Sequence, residues 1–155
     1  MQVELINPFV SAANDVFQTM LDCPLTRGTL ALKHSNTPEL EVSGLIGLSG
    51  KCQGMIVLSL ERDAALSAAE IMLGERPAGL NREVADAVGE LANMVAGAAK
   101  SQLEQYHLSV SLPSVICGKH HSINFPARSI PMVLPFHSRI GPVCIEVGLA
   151  KMEQP

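Results

Sequence analysis

The stretch Gly89-Glu90-Leu91-Ala92-Asn93-Met94-Val95-Ala96-Gly97 carries an acid, an amide and a glycine at spacings that place all three on one side of a helix. A carboxylate is suited to taking a cation. A neutral amide both donates and accepts hydrogen bonds, and a glycine leaves bare backbone that another molecule can approach closely. Val84, Val88, Leu91, Val95 and Ala98 recur at three- and four-residue steps and form a core-facing stripe. Glu83, Asp86, Glu90, Asn93, Gly97 and Lys100 recur with the same steps on the opposite side. The pattern predicts one long helix over residues 81–106. Gly89 and Gly97 each cost such a helix about 1 kcal/mol relative to alanine, so a bare outward surface is the expected reason for both, although Gly97 also fits packing against a neighbouring loop. Asp86 and Lys100 fit rim contacts of that surface, and each also fits a solvated surface charge.

Other elements must position this helix. A first helix is expected to begin around residues 6–8, with Asn7 as cap and Pro8 at the first helical position. It turns Phe9, Ala13, Val16, Phe17, Met20 and Leu21 inward. Extended segments follow at 25–33, 42–48 and 52–60, and Ser49-Gly50-Lys51 joins the last two as a tight hairpin. Residues 63–73 suit a short helix stopped by Gly74. Beyond Tyr106, extended segments return at 115–123, 130–136 and 143–149. Pro131 and Pro135 make the middle one a poor central strand. The last alternates Val143, Ile145, Val147 and Leu149 against Cys144, Glu146 and Gly148. The fold class expected is α+β, a single domain over residues 1–155 in which helices cover one side of an antiparallel sheet. Aligning Asn14 with Asn93 sets Ser11 opposite Glu90 and Gln18 opposite Gly97, which suggests a degenerate internal duplication whose first half lacks the acid.

Composition narrows the classes of function. The chain has 155 residues, a net charge of −4 and no cluster of Lys and Arg interleaved with aromatics, which argues against nucleic acid as a partner. With 47% hydrophobic and 17% charged residues it has little charge to cover its surface, which favours either an apolar subunit interface or a large core. Its opening residues show neither a basic segment nor a long apolar one, and no apolar run approaches membrane-spanning length, so a cytoplasmic protein is expected. Cys23, Cys52, Cys117 and Cys144 lie far apart and are expected as reduced thiols. Cys117 with His120 and His121 is the nearest approach to a metal cluster, and it fits a polar hairpin tip better. No metal site is expected on this chain.

The extended pattern Asp86-x-x-x-Glu90-x-x-Asn93-x-x-x-Gly97 resembles the signature of the CheC/CheX/FliY chemotaxis phosphatases, most closely its CheX-like members. The likeness continues through Ile6-Asn7-Pro8-Phe9, Val16-Phe17 and Met20-Leu21 to the terminal Gly141-Pro-Val-Cys-Ile-Glu-Val. The resemblance implies a CheC-like fold, a homodimer, and hydrolysis of the aspartyl phosphate on a CheY-like receiver domain. It implies that Asn93 positions the attacking water and that Glu90 pairs with a lysine of the receiver. It also implies one site per subunit, since Ser11 stands where a second acid would be. This chain would need no cofactor of its own, and Mg²⁺ would come with the receiver. Phosphoryl transfer through a loose transition state asks mainly for an in-line nucleophile and charge stabilisation, which an amide supplies without adding negative charge. The alternatives are a non-catalytic module that grips a receiver or flagellar-switch component, and a structural dimer in which Glu90 and Asn93 are incidental.

Overall fold

In the computed structural model, which describes residues 3–126 and 129–152, three helices lie against one face of an eight-stranded antiparallel sheet. The order along the chain is α1 (Val3–Leu21), β1 (Thr26–Arg27), β2 (Ala31–Leu32), β3 (Val42–Ser49), β4 (Cys52–Leu60), α2 (Arg62–Leu73), α3 (Arg82–Ser101), a single 3₁₀ turn (Glu104–Tyr106), β5 (Ser109–Val110), β6 (Ser114–Cys117), β7 (Met132–His137) and β8 (Val143–Lys151). Residues Met1 and Gln2, part of the opening segment considered above, lie outside the described residues. No helix among the described residues is long and apolar enough to cross a membrane.

β4 and β8 form the centre of the sheet, flanked by β3 and β7 respectively. The short β1 and β2 pair with β7, and β5 and β6 pair with β3. Val42, Leu60, Val143 and Phe136 stand opposite one another across four strands, all buried beneath the helices. The chain therefore contains the same series twice: a long helix, two short strands, then two long strands. The centre of the repeat falls between β4 and β8, and α1 and α3 pack on each other. This is the arrangement that an internal duplication makes.

The predicted hairpin of β3 and β4 is present, and α2 ends at Gly74, whose φ of 82° is the left-handed conformation that closes a helix. Other elements differ from expectation. α1 starts at Val3, so Pro8 lies inside it rather than at its first position. The added turn buries Leu5 and Ile6, which outweighs the one backbone hydrogen bond that Pro8 cannot donate. α3 stops at Ser101 rather than Tyr106. There Leu103 is buried and the 3₁₀ turn brings the Tyr106 carbonyl to the Lys51 N–H at 2.9 Å, tying the chain to the β3–β4 hairpin.

The segment 25–33 pairs only at its two ends. Residues 28–30 bulge opposite 134–135, one residue too many for a continuous ladder. Pro135 faces this interruption: its carbonyl accepts from Gly28 N–H at 2.8 Å, and its missing N–H is directed toward the same broken edge. That is how Pro135 fits a strand with neighbours on both sides, while Pro131 lies just before the strand begins. The segment 115–123 pairs only as far as Cys117, after which the chain leaves β3 to cross the sheet.

β8 is buried on both faces from Val143 to Leu149, so its alternation does not mark a solvent side. Phe125 lies so close over Gly148 that a Cβ there would sit 2.6 Å from its ring. Beside it Glu146 is fully buried. Its Oε1 accepts from Lys33 Nζ at 3.2 Å, while Lys33 also donates to Glu39 at 2.8 Å and to the Thr37 carbonyl at 2.7 Å. Glu146 Oε2 has no partner. Burial pushes the Glu146 carboxyl above its usual range, and the Lys33 charge only partly offsets this. Removing the lysine leaves an uncompensated buried carboxylate. Lys33→Met is therefore expected to destabilise the fold by about 3 to 5 kcal/mol at neutral pH. In that variant the folded-state pKa of Glu146 lies further above its unfolded value. The folded state then holds more protons between the two, and the deficit shrinks as pH falls through that window. Urea denaturation of both proteins at neutral and mildly acidic pH checks the size and the sign.

Candidate functional site

Asn81 starts α3, its side chain accepting from the Val84 N–H at 3.2 Å; Glu83 in the first turn and Lys100 in the last complement the helix dipole. Val84, Val88, Leu91 and Val95 are fully buried, with Ala87, Ala92, Ala96 and Ala99 beside them, and Ala98 is half-buried. The small residues let the helix settle onto β3. A Cβ at Gly44 would meet Ala92 at 3.1 Å and Val88 at 3.3 Å. Seated in this way, α3 has no freedom to roll.

Its opposite face exposes Asp86, Glu90, Asn93, Gly97 and Lys100, the five residues singled out from the sequence. The structure divides them between two open depressions. One, of about 570 Å³, is lined by Asp86, Glu90 and Asn93 together with Arg82, Leu112, Pro113 and Val115. The other, of about 720 Å³, is lined by Asn93, Gly97 and Lys100 with Glu104, His107 and Val110. Asn93 belongs to both. Glu90 and Asn93, one helical turn apart, carry Cβ atoms about 5 to 6 Å from each other, so one incoming molecule can touch both. The far wall of each depression comes from residues 104–115, which run back beside α3. Sequence patterning did not reveal that wall, because its short strands carry no strong alternation. The one available signal was the costly Gly89.

Gly89 and Gly97 prove to do different things. Gly97 is bare, with nothing within 4 Å of where a Cβ would stand. Gly89 is buried rather than outward: a Cβ there would meet Val115 at 3.3 Å and Pro113 at 3.5 Å, so its absence lets the wall approach the helix.

Competing chemistries find little support. Cys52, Cys117 and Cys144 are each pushed up in pKa by desolvation of the thiolate, the opposite of an activated nucleophile. His121 is engaged: its Nδ1–H donates to the Gly118 carbonyl at 2.9 Å, leaving Nε2 to accept from Ser43 at 3.2 Å. No group of three or more His, Cys, Asp and Glu is placed to hold a metal among the described residues. On the first helix Ser11 is exposed and Asn14 half-buried, with no acid at the position equivalent to Glu90.

The contrast between the glycines sets an expectation for stability. Gly97→Ala fills open space on an exposed helix and is expected to stabilise the isolated protein by up to about 1 kcal/mol. Gly89→Ala brings a Cβ to 3.3 Å from Val115, which must give by a few tenths of an ångström, and is expected to show a smaller gain or none. Paired thermal or urea denaturation of the two variants checks this.

Comparison with known proteins gives a consistent pattern. Residues 42–137 match the family model for chemotaxis phosphatase CheX. Over 123 residues, 77% of this chain and 79% of the relative, the sequence is 27% identical to the CheY-P phosphatase CheX of Thermotoga maritima. The crystal structure of a CheC-like superfamily protein from Shewanella sp. PV-4 superposes with a TM-score of 0.87 at 36% identity, covering 97% of this chain and 99% of that one. CheX in a complex with CheY, BeF₃ and Mg²⁺ from Borrelia burgdorferi shares the fold, with a TM-score of 0.80 at 23% identity over 97% of this chain and 100% of that one.

Proposed function

Because the chain belongs to the CheX family of chemotaxis phosphatases, we propose that it removes the phosphoryl group from the phosphorylated aspartate of a CheY-like receiver domain, with Asn93 and Glu90 as the residues that act. The observation that carries this reading is the position of Asn93, exposed on a rigid helix where two depressions meet, with a carboxylate one turn before it.

The chemistry follows from the two side-chain types. A water attacks phosphorus from the side opposite the aspartyl oxygen, and the bond from phosphorus to that oxygen breaks. Aspartate and inorganic phosphate leave, the latter taking up the water's proton. Asn93 holds this water, its amide able to accept from the water while donating to a phosphoryl oxygen, and it brings no charge to repel the substrate. Glu90 is repelled by the phosphoryl group itself. Its role is to pair with a lysine of the receiver, which fixes the distance of Asn93 from the phosphorus. Asp86, Gly97 and Lys100 extend the contact along the helix. Mg²⁺ enters as part of the receiver, consistent with its presence in the Borrelia CheX–CheY complex, and neutralises charge on the phosphoryl oxygens. The protein works in the cytoplasm as a homodimer to which the C-terminal strands contribute, its partners being receiver domains rather than nucleic acid or membrane.

Asn93→Ala is expected to abolish most phosphate release while largely sparing affinity for a receiver held in its activated form by beryllofluoride. Glu90→Ala is expected to weaken binding as well as turnover, by tenfold or more for a charge-assisted contact worth about 1.5 to 3 kcal/mol. Asn14→Ala, on the helix without an acid, is expected to leave turnover nearly unchanged. Receiver binding and phosphate release measured on the same three variants test the assignment, and a wild-type rate from Asn93→Ala leaves a binding module in its place. The assembly is tested separately by sedimentation equilibrium at micromolar concentration, where a mass twice that of the 16.5 kDa chain is expected.

A further inference from the structure

The wall that faces Glu90 and Asn93 contains an apolar side chain in an unusual position. Leu112 is 88% exposed, far more than any other large hydrophobic residue among the described residues, and it lines the same depression as Asp86, Glu90 and Asn93. A leucine left in water gains nothing for the free protein. The backbone beneath it is nonetheless held firmly in place. The Ser111 N–H donates to the Gly47 carbonyl at 2.9 Å, the Gly47 N–H donates back to Ser111 Oγ at 2.8 Å, and Ser111 Oγ donates to the carbonyl of Leu112 itself at 2.9 Å. On its other side Pro113 packs toward α3 at Gly89, where a Cβ would stand 3.5 Å from it, and the following Val115 comes closer still, at 3.3 Å. Thus three hydrogen bonds, with Pro113 packed against α3, hold the backbone that presents an apolar side chain at the rim of the groove.

We propose that Leu112 is an apolar docking residue for the receiver, seating in a nonpolar patch next to the phosphorylated aspartate while Glu90 takes the adjacent cation. The proposal rests on the phosphatase reading and specifies what the substrate must offer. The wall from α3 carries the carboxylates of Asp86 and Glu90 with Arg82 in the first turn of the helix, an excess of one negative charge, and the facing wall is apolar, from Leu112, Pro113 and Val115. A fitting partner presents a basic side chain flanked by an apolar one, within the width of a single groove. Charge selects receivers in general, since the cation beside the aspartyl phosphate is what Glu90 needs. The apolar contact then discriminates among them, because a receiver with a charged or strongly polar side chain at that point leaves Leu112 unmatched and its own polar group desolvated. A preordered loop spends little further entropy on binding, which suits an anchor of this kind.

The test uses the full-length protein and the CheY-type receiver that it dephosphorylates fastest, activated with beryllofluoride and Mg²⁺. Calorimetric titration is expected to show Leu112→Asp binding about tenfold or more weakly, the loss typical of an interface anchor, and Leu112→Met binding within about twofold of wild type, since methionine keeps the apolar volume. In steady-state phosphate release the defect is expected in KM with kcat retained at saturating receiver, a division that a merely structural fault would not produce. Wild-type affinity and KM in Leu112→Asp overturn the proposal, as does a fall in kcat at unchanged KM. Asn93→Ala run alongside separates the two levels. If it loses turnover while Leu112→Asp binds normally, only the docking role fails, whereas wild-type turnover from Asn93→Ala removes the phosphatase assignment beneath it.

Discussion

Everything at the site depends on how closely α3 seats on β3. Ala92 and Val88 press onto the strand at Gly44, where no Cβ stands between helix and sheet. A helix held that near, with a full stripe of valine, leucine and alanine in the core, has one rotational setting. Rolling it by one residue position, about 100°, would bury Glu90 or Asn93 and expose Val88 or Leu91. The core therefore fixes more than stability. It aims the amide and the carboxylate outward with the precision of a packed interior, and no hydrogen bond has to hold either side chain in place.

A site built this way leaves its functional groups free. Neither the Glu90 nor the Asn93 side chain is hydrogen-bonded among the described residues, and both are exposed. The cost falls elsewhere, on two glycines that weaken the helix and on an exposed leucine. These local departures from good helix and surface design all line the two depressions that meet at Asn93. Departures of this kind gathered at one place are expected where a surface is selected for contact rather than for stability.

Legibility in the sequence followed the strength of local signals. β3, β4 and α2 were readable almost residue for residue, because alternation, a turn glycine and a left-handed glycine cap are all short-range features. The core stripe of α3 and its five outward residues were likewise readable from spacing. What escaped was set by tertiary contact. The extra turn of α1 comes from burying Leu5 and Ile6 in spite of Pro8. The end of α3 comes from the return of the chain to the β3–β4 hairpin. The second face of β8 looked polar because Glu146 sits there, and only the crossing segment near Phe125 and the reach of Lys33 make it interior. The groove wall was invisible for the same reason, since it is built by apposition and not by pattern. The family likeness supplied the chemistry that spacing alone could not, since an acid and an amide three residues apart occur on many helices.

The exchange of short strands within the sheet carries a consequence for ancestry and for dissection of the molecule. β1 and β2 belong to the first half of the chain yet edge the second half's β7, and β5 and β6 do the reverse on β3. Neither half can complete its own sheet. A half-length chain bearing one such series would leave an open central edge at β4 or β8 and no cover at its outer one, and it could satisfy both only by pairing with a second copy across a twofold axis. In its strand order the present single chain has the arrangement of a strand-exchanged dimer within one polypeptide. The two helices can therefore differ in their outward residues, Ser11 on one and Glu90 on the other, while sharing a single sheet.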